Sequence, residues 1–224
     1  APVHRFTPHP ALDSAAAPDA PAKNSGTEVS AQSENLPKDA VFYYSLPAGT
    51  QTKKQETETL EKILHSWMGN FYKLPQMALE IDPENPDKDK CEAIWELSLK
   101  KRILSAERRG IYGVEQINKS AGKLIRDYGA KKFTDRYFPG EFLMITKNQA
   151  MYKLYNGDTG IVVYKDSTPY IMLRKASENE TGFVFYPLSW FPTEAIEPAF
   201  AITIHKSQGS EYDHVTMFLP KQEG

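Results

Sequence analysis

Apolar positions recur at helical spacing in two well-defined stretches. Leu60, Ile63, Leu64, Trp67, Met68 and Phe71 fall at i, i+3, i+4, i+7, i+8 and i+11, one stripe of an amphipathic helix, and the run from Gly69 to Pro75 is expected to stop it. Val114, Ile117, Ala121, Leu124, Ile125 and Tyr128 mark a second such stripe. A further helix is expected over residues 89–99, after an acidic loop at 81–87. Ahead of the first helix, residues 41–46 are apolar and aromatic and are closed by Pro47 and Gly49, which predicts a short strand. Residues 102–106 predict a buried strand, followed by a loop punctuated by Gly110 and Gly113. Strand, loop and helix thus occur twice in the same order, the pattern of an α/β layer.

The texture changes after Tyr137. Short apolar runs at 141–146, 160–164, 169–173 and 182–186 alternate with turns such as Asn156-Gly157-Asp158. Strands this short and closely spaced predict a small antiparallel barrel. A strand at 199–205, a loop at 206–213 and a last strand at 215–219 follow, so the barrel is expected to be an insertion in the α/β layer. Residues 1–40, rich in Ala, Pro, Ser and Asp and without periodicity, are expected to be linker or tail.

The chain has 224 residues, 40% of them hydrophobic and 12% aromatic, enough for a substantial core. No apolar run approaches the ~20 residues of a membrane span, and no signal peptide is expected. One cysteine, Cys91, excludes an internal disulfide and a cysteine-rich zinc site; His4, His9 and His65 are too scattered to suggest a metal. These features fit a reducing, cytoplasmic compartment. The net charge is −2, but residues 100–136 carry 11 basic against 4 acidic residues while both flanks are acidic. A basic middle can face phosphate; a solvated helix face has the same composition.

Chemistry concentrates at residues 199–213, Ala-Phe-Ala-Ile-Thr-Ile-His-Lys-Ser-Gln-Gly-Ser-Glu-Tyr-Asp. A strand is expected to deliver Thr203 and His205 to its C-terminal end, where open α/β sheets bind ligands. Gly209 stands where a side chain would obstruct a ligand. Donors, a cation, an amide and a carboxylate within nine residues suit phosphate or ribose contact.

The string from Thr203 to Glu211, ending in an aromatic residue and Asp213-His214, resembles motif V of superfamily 1 DNA helicases in its RecD form, the alpha-subunit type of exodeoxyribonuclease V. Residues 103–118, with Gly110-Ile111-Tyr112-Gly113-Val114 and Asn118, are similar to that family's strand, charged loop and helix, and residues 154–160 resemble a turn of its small barrel. The resemblance covers about residues 41–220. It implies the second RecA-like domain of a motor, of the P-loop NTPase type, with a Src-homology-3-like barrel inserted. Residues 41–136 would form its first part, 137–197 the barrel and 198–224 the return strand with motif V. It also implies that Thr203, His205 and Lys206 touch single-stranded DNA, with Arg108 and Asn118 further along the track. Gln208, Gly209 and Glu211 would face an ATP cleft, Glu211 near the ribose. The intact protein would use ATP and Mg2+, step 5′ to 3′ along single-stranded DNA in double-strand break repair, and partner RecB and RecC type subunits.

The Gly-x-x-x-x-Gly-Lys-Ser/Thr phosphate loop does not occur in this sequence. Ala121-Gly122-Lys123-Leu124 lacks the earlier glycine and the hydroxyl, and Ser120-x-x-Lys123 lies inside an amphipathic helix without the companions of a β-lactamase site. The acidic pair that would hold magnesium is also not visible. The chain alone is therefore expected to bind no nucleotide cofactor and to turn over no ATP; an N-terminal RecA-like domain of the same protein would complete the site. Two other readings stand beside this one: a relaxase-linked or Pif-type helicase, and a non-enzymatic barrel that binds protein or nucleic acid on an α/β scaffold. Cys91, His214, Trp67, Trp95 and Trp190 read as structural residues.

Overall fold

A computed structural model describes residues 52–176 and 181–219. The strand expected at 41–46 and the tail at 1–40 lie outside the described residues. Helix α1 (Lys53–Met68) begins at a capping box: the Thr52 hydroxyl accepts from the Gln55 amide at 3.3 Å and the Gln55 side chain accepts from the Thr52 amide at 2.9 Å. Its stripe buries Leu60, Leu64, Trp67 and Met68. The expected stop at Gly69 to Pro75 is only partly a stop. A 3-10 turn over Gly69–Lys73 leads straight into α2 (Leu74–Leu79). Pro75 sits in the first turn of α2, where its missing N–H is not needed, so it opens a helix instead of closing one. Helix α3 (Lys88–Leu99) is capped by the Asp87 carboxylate, which accepts from the Asp89 and Lys90 amides.

Strand β1 (Lys101–Ser105) and helix α4 (Val114–Gly129) follow at the expected places. The next strands, β2 (Phe142–Ile145), β3 (Thr159–Lys165), β4 (Thr168–Ala176), β5 (Thr181–Pro187) and β6 (Ile196–Pro198), form one antiparallel sheet in the order β5-β4-β3-β2-β6. Among the described residues no ladder joins β5 to β6, so by pairing the sheet is open. Strands β7 (Ala201–Thr203) and β8 (His214–Phe218) flank β1 in a second sheet, parallel throughout, in the order β7-β1-β8. The chain is thus α/β, with mixed parallel and antiparallel sheets.

The antiparallel sheet is buried on both faces. From β2 and β3, Phe142, Met144, Ile161 and Val163 point into the core shared with the helices and the parallel sheet. Leu143, Ile145, Val162 and Tyr164 point the other way, into a second core closed by Leu188, Phe191 and Ile196. Phe142 carries the join, with its ring 5.4 Å from Phe71 and 4.9 Å from Phe200. Trp67 and Trp95 are core residues, whereas Trp190 is 54% exposed and stacks on Tyr152. Cys91 is buried in α3, and burial pushes its thiol up to about 11, so it carries no thiolate at neutral pH. Among the described residues no helix is long and apolar enough to cross a membrane, and no cluster of His, Cys, Asp or Glu is arranged to hold a metal.

The basic middle is not one surface. Arg102 is 3% exposed, and Arg126 donates to the carbonyls of Phe133, Asp135 and Arg136. Glu141 is the acidic counterpart, 6% exposed at the start of β2, accepting from the Phe138 amide at 3.3 Å. Burial raises its carboxyl to about 8, with that hydrogen bond and the charges of Arg126 and Arg136 pulling less strongly the other way. A carboxyl raised in the folded state binds its proton more tightly there than in the unfolded chain. Its stabilising contribution is therefore complete below its ordinary value of 4.5 and is lost as pH rises through about 8. Glu141→Gln is expected to be the more stable protein at pH 9, and to lose part of the decline in stability between pH 5 and pH 9; urea unfolding at both pH values measures this.

Candidate functional site

Register places three strand ends side by side. Ser105 of β1 pairs with Thr203 of β7 and with Phe218 of β8, so the loops after β1 and β7 leave the parallel sheet at the same, carboxyl edge. The loop after β1 carries Arg108. The Ser105 hydroxyl lies 3.0 Å from the Glu107 carbonyl and 2.8 Å from the Tyr112 carbonyl, and it accepts from the Glu107 amide. The first amides of α4 then close the loop, Val114 donating to the Glu107 carbonyl and Glu115 to the Arg108 carbonyl. Gly113 is obligatory for that return, since a methyl group there would lie 2.4 Å from the Arg109 carbonyl oxygen.

The segment after β7 differs from the expectation. The strand ends at Thr203, and His205 lies beyond it in a 3-10 turn over Ile204–Ser207. The Thr203 hydroxyl caps that turn, accepting from the Lys206 amide at 3.4 Å, which is why extended backbone gives way there. His205, Gln208, Gly209 and Glu211 are exposed, and Thr203 and Lys206 are half-buried. Gly209 is required by its backbone, at φ +82°, and not by crowding: a Cβ there meets no atom of the chain within 4 Å. Tyr212 pins the far end of the loop, its ring 5.1 Å from the buried Arg102 guanidinium, which lies 5.2 Å from the Phe142 ring.

Lys206 and Glu211 were expected on separate surfaces, one for DNA and one for nucleotide. They line one cleft of about 200 Å3, together with Arg102, Tyr212 and, from the antiparallel sheet, Met144 and Thr159.

A carboxylate absent from the expected set joins the two loops. Glu197, in the middle of β6, accepts from the Arg108 guanidinium at 3.1 Å through one oxygen and from the Lys206 ammonium at 2.6 Å through the other. Glu115 accepts from the Arg108 Nε at 3.1 Å. Glu115 first, then Glu197, push the Arg108 guanidinium further toward its charged form. Arg108 is 60% exposed, and such pairs are worth only about 0–1 kcal/mol. The two Arg108 pairs therefore position that cation without contributing much to folding. Nothing in the sequence near Arg108 or Lys206 signals Glu197, which only the fold brings to them.

Asn118 is a correction. It was expected on the DNA track, but it is 6% exposed and its amide is committed to backbone. Its nitrogen donates to the Pro198 carbonyl at 2.8 Å and the Ala201 carbonyl at 2.9 Å, and its oxygen accepts from the Ala201 amide at 2.7 Å. Arg102 grips the same corner, donating to the Ala199 carbonyl at 2.6 Å. Thus Asn118 and Arg102 hold the chain where it passes from β6, with Glu197, to β7, with Thr203. Asn118→Ala strands these buried backbone groups and is expected to cost about 2–3 kcal/mol of stability in urea unfolding; a loss under about 0.5 kcal/mol would contradict this role.

No protein-family model matches the chain. Among curated proteins it is 33% identical over 135 residues to the RecBCD enzyme subunit RecD of Mycolicibacterium smegmatis, covering 60% of this chain and 23% of that protein. It is 34% identical over 126 residues to the RecD subunit of Haemophilus influenzae, covering 54% of this chain and 17% of that protein. The chain thus spans under a quarter of the length of these relatives. A Bacteroides Pif1 helicase in complex with ADP-AlF3 and single-stranded DNA overlays 74% of this chain and 43% of its own, at 17% identity and a TM-score of 0.32. Two coordinating Pif1 helicases at forked DNA give 19% identity and a TM-score of 0.29, over 75% of this chain and 41% of theirs. Overlays that loose carry no inference. Sequence similarity is the firmer finding: over somewhat more than half of its length the chain is similar to RecD subunits of the RecBCD enzyme.

Proposed function

We propose that this chain is part of an ATP-dependent 5′ to 3′ DNA helicase of the RecD type, acting in double-strand break repair and recombination. In this reading it forms the second RecA-like domain of the motor, residues 137–197 being an inserted Src-homology-3-like barrel. The carboxyl edge of the parallel sheet tracks single-stranded DNA. Thr203, His205, Lys206 and Arg108 contact phosphates, and Asn118 serves the site by holding the 198–201 corner. Gln208, Gly209 and Glu211 contribute one wall of the ATP cleft. Of these three residues Glu211 lines the cleft of about 200 Å3, and Lys206 lines it too. Phosphoryl transfer needs a phosphate cradle and a metal as well. An N-terminal RecA-like domain would supply these with ATP and Mg2+, and RecB and RecC type subunits are the proposed partners.

The observation that supports this reading best is the meeting of Arg108 and Lys206 around one carboxylate. They come from two loops far apart in sequence and lie at the edge where open α/β sheets place ligands. A second reading has a specific observation of its own. Tyr152, Tyr186 and the half-exposed Trp190 cluster on the antiparallel sheet, a surface suited to a non-enzymatic binding module.

Fluorescence anisotropy of a labelled oligo-dT separates the two. Lys206→Ala and His205→Ala are both expected to weaken binding. Unchanged binding in both, with loss in Trp190→Ala, would favour the module. The purified chain is also expected to show no DNA-stimulated ATP hydrolysis; turnover that His205 or Lys206 substitutions abolish would overturn that expectation.

A further inference from the structure

We propose that Glu197 is a built-in competitor for the DNA backbone: its carboxylate occupies the position between Arg108 and Lys206 that a phosphodiester takes when single-stranded DNA binds. The proposal rests on reading those two cations as strand contacts.

The geometry is that of an occupied anion site. One oxygen of Glu197 meets a guanidinium nitrogen at 3.1 Å and the other meets the Lys206 ammonium at 2.6 Å, the two-cation clamp that a phosphate also satisfies with two of its oxygens. The cations come from separate loops, so a ligand that replaces Glu197 must bridge the same gap. The Arg108 half of the contact is weak enough to yield, because Arg108 is 60% exposed and keeps Glu115 as a partner; the Lys206 half, about a quarter exposed on both sides, is the one a phosphate must outcompete. Glu197 belongs to β6, and its neighbour Pro198 is held by Asn118, so the carboxylate cannot drift away as a surface side chain on a free loop would. β6 pairs with β2 of the antiparallel sheet, Glu197 lying opposite Met144. Strand binding is thereby coupled to the placement of that sheet.

Displacing a carboxylate differs from displacing salt ions. In the parent chain Glu197 and Glu115 together balance the two cations, and a phosphate that replaces Glu197 releases few counterions. Without the carboxylate the same cations gather counterions that DNA must expel, which steepens the salt dependence.

The test is anisotropy with a fluorescein-labelled oligo-dT on the full chain across a salt series. Glu197→Gln is expected to tighten binding at low salt by about fivefold, the size of one exposed ion pair. It is also expected to steepen the log K against log salt slope by about 0.7, for one phosphate on a single strand. Glu194→Gln removes the same charge three residues away, where the partner is Lys147, and is expected to change neither. Adding Lys206→Ala to the Glu197→Gln variant is expected to abolish the gain. Equal tightening in Glu194→Gln, or no tightening in Glu197→Gln while Lys206→Ala weakens the parent, overturns the competitor role and leaves the DNA reading standing. If Lys206→Ala and Arg108→Ala both bind like the parent, the DNA reading itself fails and the proposal with it. Should circular dichroism show Glu197→Gln unfolded, Glu197→Asp replaces it: one methylene shorter, it cannot span both cations, and unchanged affinity there counts against the proposal.

Discussion

A buried amide and a buried guanidinium gripping one backbone corner set the geometry of everything around them. Asn118 satisfies the carbonyls of Pro198 and Ala201 and the amide of Ala201, while Arg102 takes the carbonyl of Ala199. Polar side chains at this depth are costly unless bonded, and their bonds specify one arrangement: Asn118 uses both ends of its amide, whereas Arg102 bonds through its two terminal nitrogens and leaves Nε without a hydrogen-bond partner. The corner they specify is where the antiparallel sheet hands over to the parallel one. One residue before it stands Glu197; two residues after it stands Thr203. The site is therefore set from inside the fold, by residues that do not themselves face solvent.

The surface above that corner follows from strand order. β1 lies between β7 and β8, all three run parallel, and their carboxyl ends coincide. Loops that leave such an edge converge whatever their separation in sequence, which is how Arg108 comes to share a carboxylate with Lys206. Local chemistry then shapes each loop. The Ser105 hydroxyl and the first amides of α4 fold back one, and the Thr203 hydroxyl and the stacking of Arg102 on Tyr212 shape the other. The antiparallel sheet is no loose appendage to this edge, since Phe142, Met144 and Ile161 belong to the same core as the helices.

Periodicity and local punctuation made much of this legible. The stripes of α1 and α4, the buried strand β1 and the succession of short strands after residue 140 all stand close to where the pattern puts them. Motif spacing drew attention to the turn after β7, which the structure places at the carboxyl edge of the parallel sheet. What could not be read depends on long-range contact. Asn118 looks like any polar residue on a helix until the corner that it binds is known. Glu197 gives no sign of its two cations, one of them 89 residues away. Pro75 carries the same letter whether it ends one helix or begins the next. Arg102 was a missed signal: an arginine inside an apolar strand must find buried acceptors, and that alone marks a structural cation.

Backbone amide hydrogen exchange with and without oligo-dT addresses the central claim most directly, that two loops at one sheet edge form a single nucleic-acid surface. The account predicts slowed exchange in both the 106–113 loop and the 204–211 turn on adding the oligonucleotide, at low salt, and relief of that protection by added salt. Protection confined to residues 181–191 of the antiparallel sheet, with both loops unchanged, would contradict it.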